Sequence, residues 1–217
     1  MRKLFNKYFI IGLALLFLFA IMIVLLKFNV GVLGENNSKV GLYSLNKKFI
    51  PNKTSTTWDD LSDLILYVSI LVLFIFVVRG IINLFDTGSI FKVDKEILVL
   101  GFAIVILAIF WILFDKIIII NYRPFNEKEG SFPSTHVALV TFMALYSIFY
   151  VYRSNDYKAY VIPVSIISAL FIILVFIGRF KSGNHFFTDC LGGLVLSTSL
   201  FFISFGVIKY FDYKENE

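Results

Sequence analysis

Residues 61–85 read LSDLILYVSILVLFIFVVRGIINLF, and only two of these 25 residues are charged. About 20 apolar residues in a helix cross a hydrocarbon core about 30 Å thick, so this run is long enough to span a membrane. Five further runs have the same apolar character. With the quoted run, they cover 8–26, 61–85, 97–114, 137–152, 160–177 and 190–208. The sequence therefore predicts an all-α integral membrane bundle of six transmembrane helices.

The composition of the chain agrees with a protein that resides in lipid. Of its 217 residues, 59% are apolar and only 16% are charged. Soluble domains have about 45–50% apolar and about 25% charged residues, so this chain has too few charges to cover a water-facing surface. The net charge is +5, but the basic residues form no patch, so we expect anionic lipid headgroups rather than nucleic acid as partners. The single cysteine, Cys190, supplies neither an internal disulfide nor a cysteine-rich metal site.

The segments between the apolar runs predict one domain. The stretch 29–60 is the only sizeable polar segment, and we expect a loop or surface cap there. The later connections are short, which places neighbouring helices antiparallel in one bundle. We therefore expect a single six-span domain over residues 1–217. The first run is too long for a signal peptide and no small-residue cleavage pattern follows it, so we expect an uncleaved span.

The orientation in the membrane follows from the lysine and arginine residues only in part. Six spans place both termini on one face and the loops after spans one, three and five on the other. Of the 20 Lys and Arg residues, ten belong to each face, so their total number favours neither orientation. Three on the loop face, Lys116, Arg123 and Arg179, are explained below by a binding site. The remaining basic residues favour cytoplasmic termini and a site on the extracytoplasmic face.

Ionisable residues gather in two loops on the face opposite the termini. Such side chains are costly near lipid, so their positions are informative. Both histidines of the chain lie in these loops, each just before a predicted helix. The residues are Lys116, Arg123, Ser134 and His136 in the first loop, and Arg179, His185 and Asp189 in the second.

This combination predicts chemistry on a phosphate. The three cations would neutralise the anion, and the arginines would form forked hydrogen bonds to its oxygens. Ser134 and the free amides at the start of the fourth helix would donate more hydrogen bonds. Asp189 follows His185 by four positions, so a helix would stack them on one face, where the carboxylate holds one ring proton and directs the other nitrogen. His136 would then protonate the departing oxygen.

Each residue alone also has a structural explanation. Lys116 and Arg123 could extend to the interface from the end of a span, and Ser134 could be a helix N-cap. Asp189 suits the first turn of a helix, and a lone interfacial histidine is often structural. These explanations do not account for both histidines and three cations in the same two loops. Two histidines fifty residues apart among cations would not hold a divalent ion, so we expect a site without metal or other cofactor.

The motifs resemble a known family. The matching segments are Lys116-x6-Arg123-Pro124, Pro133-Ser134-Thr135-His136 and Arg179-x5-His185-x3-Asp189. They resemble the three signature motifs of the type 2 phosphatidic acid phosphatases, whose superfamily also contains vanadium-dependent haloperoxidases and bacterial acid phosphatases. Order, internal spacing and charged positions agree together, which is more specific than any single short motif.

The resemblance implies a six-helix membrane phosphatase that acts on lipid phosphates without metal. It implies that His185 attacks phosphorus to form a phosphohistidine, that Asp189 orients His185 and that His136 is the acid for the leaving group. The phosphoryl oxygens would be held by Lys116, Arg123, Ser134, Thr135 and Arg179.

Two positions depart from the family pattern. Thr135 stands where the family usually has a glycine that offers its backbone amide to phosphate. Threonine offers the same amide but is β-branched and disfavours positive φ, which affects the shape of the loop. Gly178 stands where serine is common, which removes one hydroxyl.

We expect a metal-independent lipid phosphate phosphatase whose substrate is undecaprenyl diphosphate. A broad phosphatidylglycerophosphate or phosphatidate phosphatase is the alternative, and a phosphotransferase would share the same residues. A non-catalytic lipid-binding or transport protein is the alternative of another class, but binding alone would need only the cations. The expected partners are the bilayer and the lipid substrate, with no obligate protein partner. The abundance of Phe, Ile, Lys and Asn is compatible with an AT-rich bacterial genome, so we expect a bacterial plasma membrane.

Overall fold

A computed structural model of the chain describes residues 4–34, 37–50, 54–154 and 156–215. In this part of the chain, six helices are long and apolar enough to cross a membrane, which confirms the predicted all-α bundle. The helices are α1 (Lys7–Leu25), the short α2 (Tyr43–Asn46), α3 (Thr56–Thr87), α4 (Lys95–Ile112), α5 (Thr135–Arg153), α6 (Val161–Lys181) and α7 (Phe187–Glu215). A π-helical turn, Leu113–Ile117, continues α4. The strands are β1 (Gly31–Leu33), β2 (Ser38–Val40), β3 (Tyr122–Arg123) and β4 (Asn126–Gly130).

Several helices extend beyond the apolar runs that predicted them. α3 begins at Thr56, five residues before its apolar run, and α7 continues to Glu215. Apolar residues are needed only within the hydrocarbon layer, whereas the helical hydrogen bonds continue into the polar interface. The additional turns carry charged residues, among them Asp59 at the start of α3.

Helix α7 lies at the centre of the bundle and packs against α1, α4 and α5. Glycines allow α1 and α7 to approach closely, because a Cβ atom on Gly12 would lie 2.7 Å from the backbone nitrogen of Ile203. Likewise, a Cβ atom on Gly206 would lie 2.7 Å from the backbone nitrogen of Phe9. Small residues at such interfaces are the usual means by which membrane helices pack. α5 is enclosed by α3, α6 and α7, so its first turn is held inside the protein.

Ion pairs join three helices at the end of the bundle where α1 begins and α7 ends. Arg153 of α5 donates to Asp212 of α7 at 2.7 Å and to Glu96 of α4 at 2.8 Å. Lys95 lies 2.8 Å from Asp212 and 2.5 Å from Glu215. The loops that carry the motifs lie at the other end of the bundle, where α5 and α7 begin.

The stretch 29–60, expected as a polar loop, contains regular structure. β1 and β2 form an antiparallel hairpin, α2 follows, and the first turns of α3 complete the stretch. The Ser38 hydroxyl donates to the Arg123 carbonyl at 2.8 Å. Asn46 is buried and exchanges two hydrogen bonds with Thr188 at the start of α7. Ser38 and Asn46 thus attach this segment to the two parts of the chain that carry the motifs.

Candidate active site

Main-chain hydrogen bonds bring the second and third motifs together. The Ser134 amide, just before α5, donates to the Asp189 carbonyl in α7 at 2.9 Å. The His185 amide donates to the Arg179 carbonyl at 3.2 Å, which closes the turn between α6 and α7. Gly183 in this turn has φ +83°, a conformation that L side chains rarely adopt. The positions of His185 and Asp189 relative to α5 are therefore set by the backbone.

His185 is buried, with its two ring nitrogens in different surroundings. Nδ1 lies 2.9 Å from the Ser131 carbonyl oxygen, which can only accept, so Nδ1 carries the proton. Nε2 then holds the lone pair, and it is buried without a hydrogen-bond partner among the described residues. Burial lowers the pKa of His185 well below its usual value, and the guanidinium groups of Arg179 and Arg123 lower it further. The ring is therefore neutral at pH 7 with an available lone pair.

Asp189 is fully buried and acts on His185 through Ser131. One carboxylate oxygen accepts from the Ser131 hydroxyl at 2.5 Å and from the Phe186 amide at 2.9 Å. The other accepts from the side-chain amide of Asn121 at 3.0 Å. The Ser131 hydroxyl is also 3.4 Å from Nδ1 of His185. The carboxylate thus fixes Ser131, which in turn holds the ring.

This arrangement corrects the expected stacking of His185 and Asp189 on one helical face. α7 begins at Phe187, so His185 lies in the preceding turn and not in the helix. Asp189 instead folds back onto the Phe186 amide, as a carboxylate at a helix N-terminus commonly does. Within the described chain, no direct hydrogen bond joins the two side chains.

His136 occupies the first turn of α5, where it lines a cavity next to Thr135. Its Nε2 atom lies 3.0 Å from Oδ1 of Asp63 in α3.

The three cations differ in burial and in their partners. Arg179 is only 3% exposed. Its Nη1 atom donates to Asp59 at 2.8 Å and to Asp63 at 3.2 Å, whereas its Nε atom has no hydrogen-bond partner in the described structure. Arg123 is partly buried, with Nε 3.3 Å from Glu129. Lys116 is exposed and lies 2.6 Å from Asp115. Arg179 and Arg123 are therefore held in place, whereas Lys116 extends toward solvent.

Two neighbouring cavities adjoin these residues and share part of their lining. A small cavity of about 10 Å³ is bordered by His185 and by Arg123 and Thr135. The latter two also border an open cavity of about 520 Å³, which Lys116 and His136 line as well. The large cavity continues between α3, α4 and α5 along an apolar wall. That wall includes Leu66, Ile70, Leu73, Leu107, Ala108 and Leu139.

The structure thus brings seven of the eight expected site residues to one place and leaves Lys116 at its outer edge. Ser134, Arg179 and Asp189 line neither cavity and lie behind the residues that do. The Ser134 hydroxyl is buried without a hydrogen-bond partner among the described residues, as are Nε of Arg179 and Nε2 of His185. Buried polar atoms are normally paired, so unpaired ones at a site indicate groups that bind something else.

Four residues at this site were not singled out from the sequence. Ser131 and Asn121 hold Asp189, and Asp59 and Asp63 hold Arg179. A signal did exist for Asp63, because a carboxylate inside an apolar run is costly and usually functional. Ser131 and Asn121 are ordinary polar residues in a loop, and their spacing to Asp189 carries no such signal.

The model of the PAP2 superfamily matches residues 97–213, which contain all three motifs. The chain belongs to the PAP2 superfamily. The family resemblance noted from the motifs is thereby confirmed. No curated protein matches the chain significantly.

A solved structure of a PAP2 protein has the same fold over nearly the whole chain. It is the crystal structure of a transmembrane PAP2-type phosphatidylglycerolphosphate phosphatase from Bacillus subtilis, with a TM-score of 0.59 and 22% identity. The match covers 94% of this chain and 96% of the other. It includes α1 and α3, which lie outside the family match. This PAP2 chain is an integral membrane enzyme, a phosphoric monoester hydrolase, and family and fold together support a lipid phosphatase.

Proposed function

We propose that this PAP2 protein hydrolyses the terminal phosphate of a membrane lipid through a phosphohistidine on Nε2 of His185. The observation that carries this proposal is the buried and unprotonated Nε2 atom, which has no hydrogen-bond partner among the described residues and lies beside a small cavity that Arg123 also borders. A neutral imidazole with an oriented lone pair is a competent nucleophile at pH 7.

The proposed reaction has two steps. In the first, the Nε2 lone pair attacks phosphorus, the bond from phosphorus to the leaving oxygen breaks, and His136 gives that oxygen a proton. In the second, His136 accepts a proton from water, and the water oxygen displaces His185 from phosphorus. Arg123, Arg179 and the Ser134 hydroxyl stabilise the charge that builds on the phosphoryl oxygens. Lys116 attracts the anion at the outer edge, and Thr135 contributes its amide.

The proposed substrate class follows from the shape of the large cavity. Its polar end contains Lys116, Arg123 and His136, together with Asp115 and Glu129, which pair with Lys116 and Arg123. The part between α3, α4 and α5 is apolar. A lipid could place its phosphate at the polar end while its chain remains between the helices. The aliphatic wall accepts prenyl and acyl chains alike, so the headgroup distinguishes the substrates.

Two substrates are proposed. Undecaprenyl diphosphate is the first, since it carries a terminal phosphate on a long prenyl chain of the kind that the aliphatic wall accepts. Phosphatidylglycerophosphate is the second, since the similar Bacillus subtilis protein is named for that activity. With cytoplasmic termini in a bacterial plasma membrane, catalysis would occur on the extracytoplasmic face.

Phosphate release by purified protein tests the proposal. Wild type, His185→Ala and the exposed control Lys181→Ala are assayed with EDTA on undecaprenyl diphosphate, phosphatidylglycerophosphate and phosphatidic acid. We expect wild type and Lys181→Ala to release phosphate from at least one lipid, and His185→Ala to be slower by about 10³-fold or more. Equal release by wild type and His185→Ala would contradict the proposal. No release from any lipid would favour a non-catalytic lipid-binding protein, and transfer to an added alcohol would identify a phosphotransferase.

A further inference from the structure

A carboxylate of α3 contacts the second histidine of the site. Oδ1 of Asp63 lies 3.0 Å from Nε2 of His136 and 3.2 Å from Nη1 of Arg179. α3 precedes residues 97–213, so Asp63 lies outside the segment that the family model matches. The side chain is partly exposed, at 37%, and His136 is 21% exposed, so the pair stands at the border of the protein interior.

The contact determines which nitrogen of His136 can serve the reaction. The Asp63 carboxylate accepts a hydrogen bond from Nε2–H, which leaves Nδ1 as the nitrogen that can give a proton to the departing oxygen. Among the described residues, no hydrogen bond engages Nδ1. Arg179, which donates to the same Asp63 oxygen, opposes a second proton on the ring, so the ring needs an anionic partner to act as an acid. Asp63 is the carboxylate in hydrogen-bond contact with it.

We propose that Asp63 is a positioning residue of the phosphatase reaction, holding the His136 ring and supplying the negative charge that allows it to carry two protons. This inference rests on the proposed function. As the bond from phosphorus to the leaving oxygen breaks, Nδ1 of His136 gives its proton to that oxygen. The ring is then neutral, and the water that hydrolyses the phosphohistidine returns the proton.

The alternative is that Asp63 only neutralises Arg179. Asp59, four residues earlier on the same face of α3, already accepts from Arg179 at 2.8 Å. Asp59 also accepts from Asn184 at 2.6 Å and, in the described structure, makes no hydrogen bond to His136. Arg179 thus has a second carboxylate, whereas His136 depends on Asp63. This difference makes Asp59 the matched control.

Substrates whose leaving groups differ in basicity distinguish positioning of His136 by Asp63 from mere neutralisation of Arg179. Phosphatidic acid releases a strongly basic alkoxide, which needs a proton. The comparison substrate is an aryl phosphate, a nitrophenyl phosphate whose ring carries a long alkyl chain, and it releases a weakly basic phenolate that needs no proton. kcat/KM includes every step up to and including the first irreversible one, which here is the departure of the alcohol or phenol. It therefore reports the step in which His136 would give its proton. We expect Asp63→Asn to lower kcat/KM for phosphatidic acid by about 10²-fold, within the range of general acid catalysis. The aryl value should fall only by the much smaller factor that follows from the loss of one of the two carboxylates on Arg179. Asp59→Asn should change both values by one common factor.

A double mutant provides a second test of whether Asp63 acts through His136. If Asp63 acts through His136, Asp63→Asn should cause no further loss for phosphatidic acid in a His136→Ala background. Equal losses for both substrates in Asp63→Asn, or additive losses in the double mutant, would overturn the inference. Activity on the aryl phosphate shows that each variant is folded. If wild type releases phosphate from no lipid, the proposed function is overturned and this inference with it. If wild type is active but Asp63→Asn loses activity equally on both substrates, the inference alone is overturned.

Discussion

The orientation of His185 depends on a main-chain carbonyl. Ser131 supplies that carbonyl at 2.9 Å from Nδ1, and its hydroxyl is held by Asp189. The same residue therefore selects the tautomer and connects the ring to the buried carboxylate. The Asp189 carboxylate therefore orients the His185 ring through Ser131, without a direct hydrogen bond between the two side chains in the described structure.

Replacement of Ser131 tests this connection. Ser131→Ala keeps the carbonyl but removes the hydroxyl from Asp189, so we expect kcat to fall by about 10-fold or more and stability to fall by about 1–3 kcal/mol. Phosphate release and thermal unfolding in detergent measure both effects. Ser44→Ala, an exposed change on α2, is the control. Wild-type kcat in Ser131→Ala would show that the carbonyl alone orients the ring.

The burial of His185 predicts a pH dependence of stability. Its pKa is lowered in the folded protein, whereas an unfolded histidine titrates near 6.5. The unfolded state therefore binds more protons below pH 6.5, so the stabilisation is complete above that pH and is lost as the pH falls. We expect the unfolding temperature of wild type to decrease between pH 7.5 and pH 5.5. In His185→Gln this decrease should be smaller, and an identical decrease would contradict a neutral buried ring.

At the scale of elements, α2 fixes the start of α7. Asn46 at the end of α2 accepts from the Thr188 amide at 3.1 Å and donates to the Thr188 hydroxyl at 3.0 Å. It also donates to the Gly41 carbonyl at 2.9 Å. The helix turn that carries Asp189 is thereby attached to a segment 142 residues earlier in the chain.

Asn46→Ala removes all three hydrogen bonds from a buried position. We expect it to destabilise the protein by about 1–3 kcal/mol and to lower kcat, because the first turn of α7 positions Asp189. Thermal unfolding and phosphate release in the same detergent provide the measurements. Lys48→Ala, at the exposed side of the same segment, should change neither. Unaltered unfolding of Asn46→Ala would show that α2 does not fix α7.

Elements differ in how far the sequence predicts them. The six spans were predicted from the lengths of the apolar runs alone, because a helix needs about 20 apolar residues to cross the hydrocarbon layer. The segment 29–60 was less predictable, since the partners of Ser38 and Asn46 lie far along the chain, at Arg123 and Thr188. Within the site, the motifs predicted the convergence of His136, His185 and Asp189. Ser131 lies two residues before the second motif, and its role depends on a contact that no spacing encodes.

At the scale of the molecule, the large cavity connects the site with the space between α3, α4 and α5. Ala108 of α4 and its neighbour Ile109 are both exposed, but only Ala108 lines the apolar part of this cavity. If the chain of the lipid occupies the cavity, its binding energy contributes to catalysis at the distant phosphate.

Filling the cavity should therefore affect only substrates with long chains. We expect Ala108→Trp to raise KM for a long-chain lipid phosphate by about tenfold and to leave a short water-soluble aryl phosphate unaffected. Steady-state kinetics on both substrates provide the test, with Ile109→Trp as the control on the lipid-facing side. A tenfold effect on the short substrate as well would indicate damage to the site.

The covalent phosphoenzyme gives the most direct test of the central claim, which is attack by Nε2 of His185. Protein mixed with a lipid phosphate and denatured rapidly in alkali should retain an acid-labile phosphate. Peptide mass spectrometry should place it on His185, and phosphorus NMR should assign it to Nε2. Phosphate on His136, or turnover by His185→Ala without any phosphoenzyme, would contradict the account.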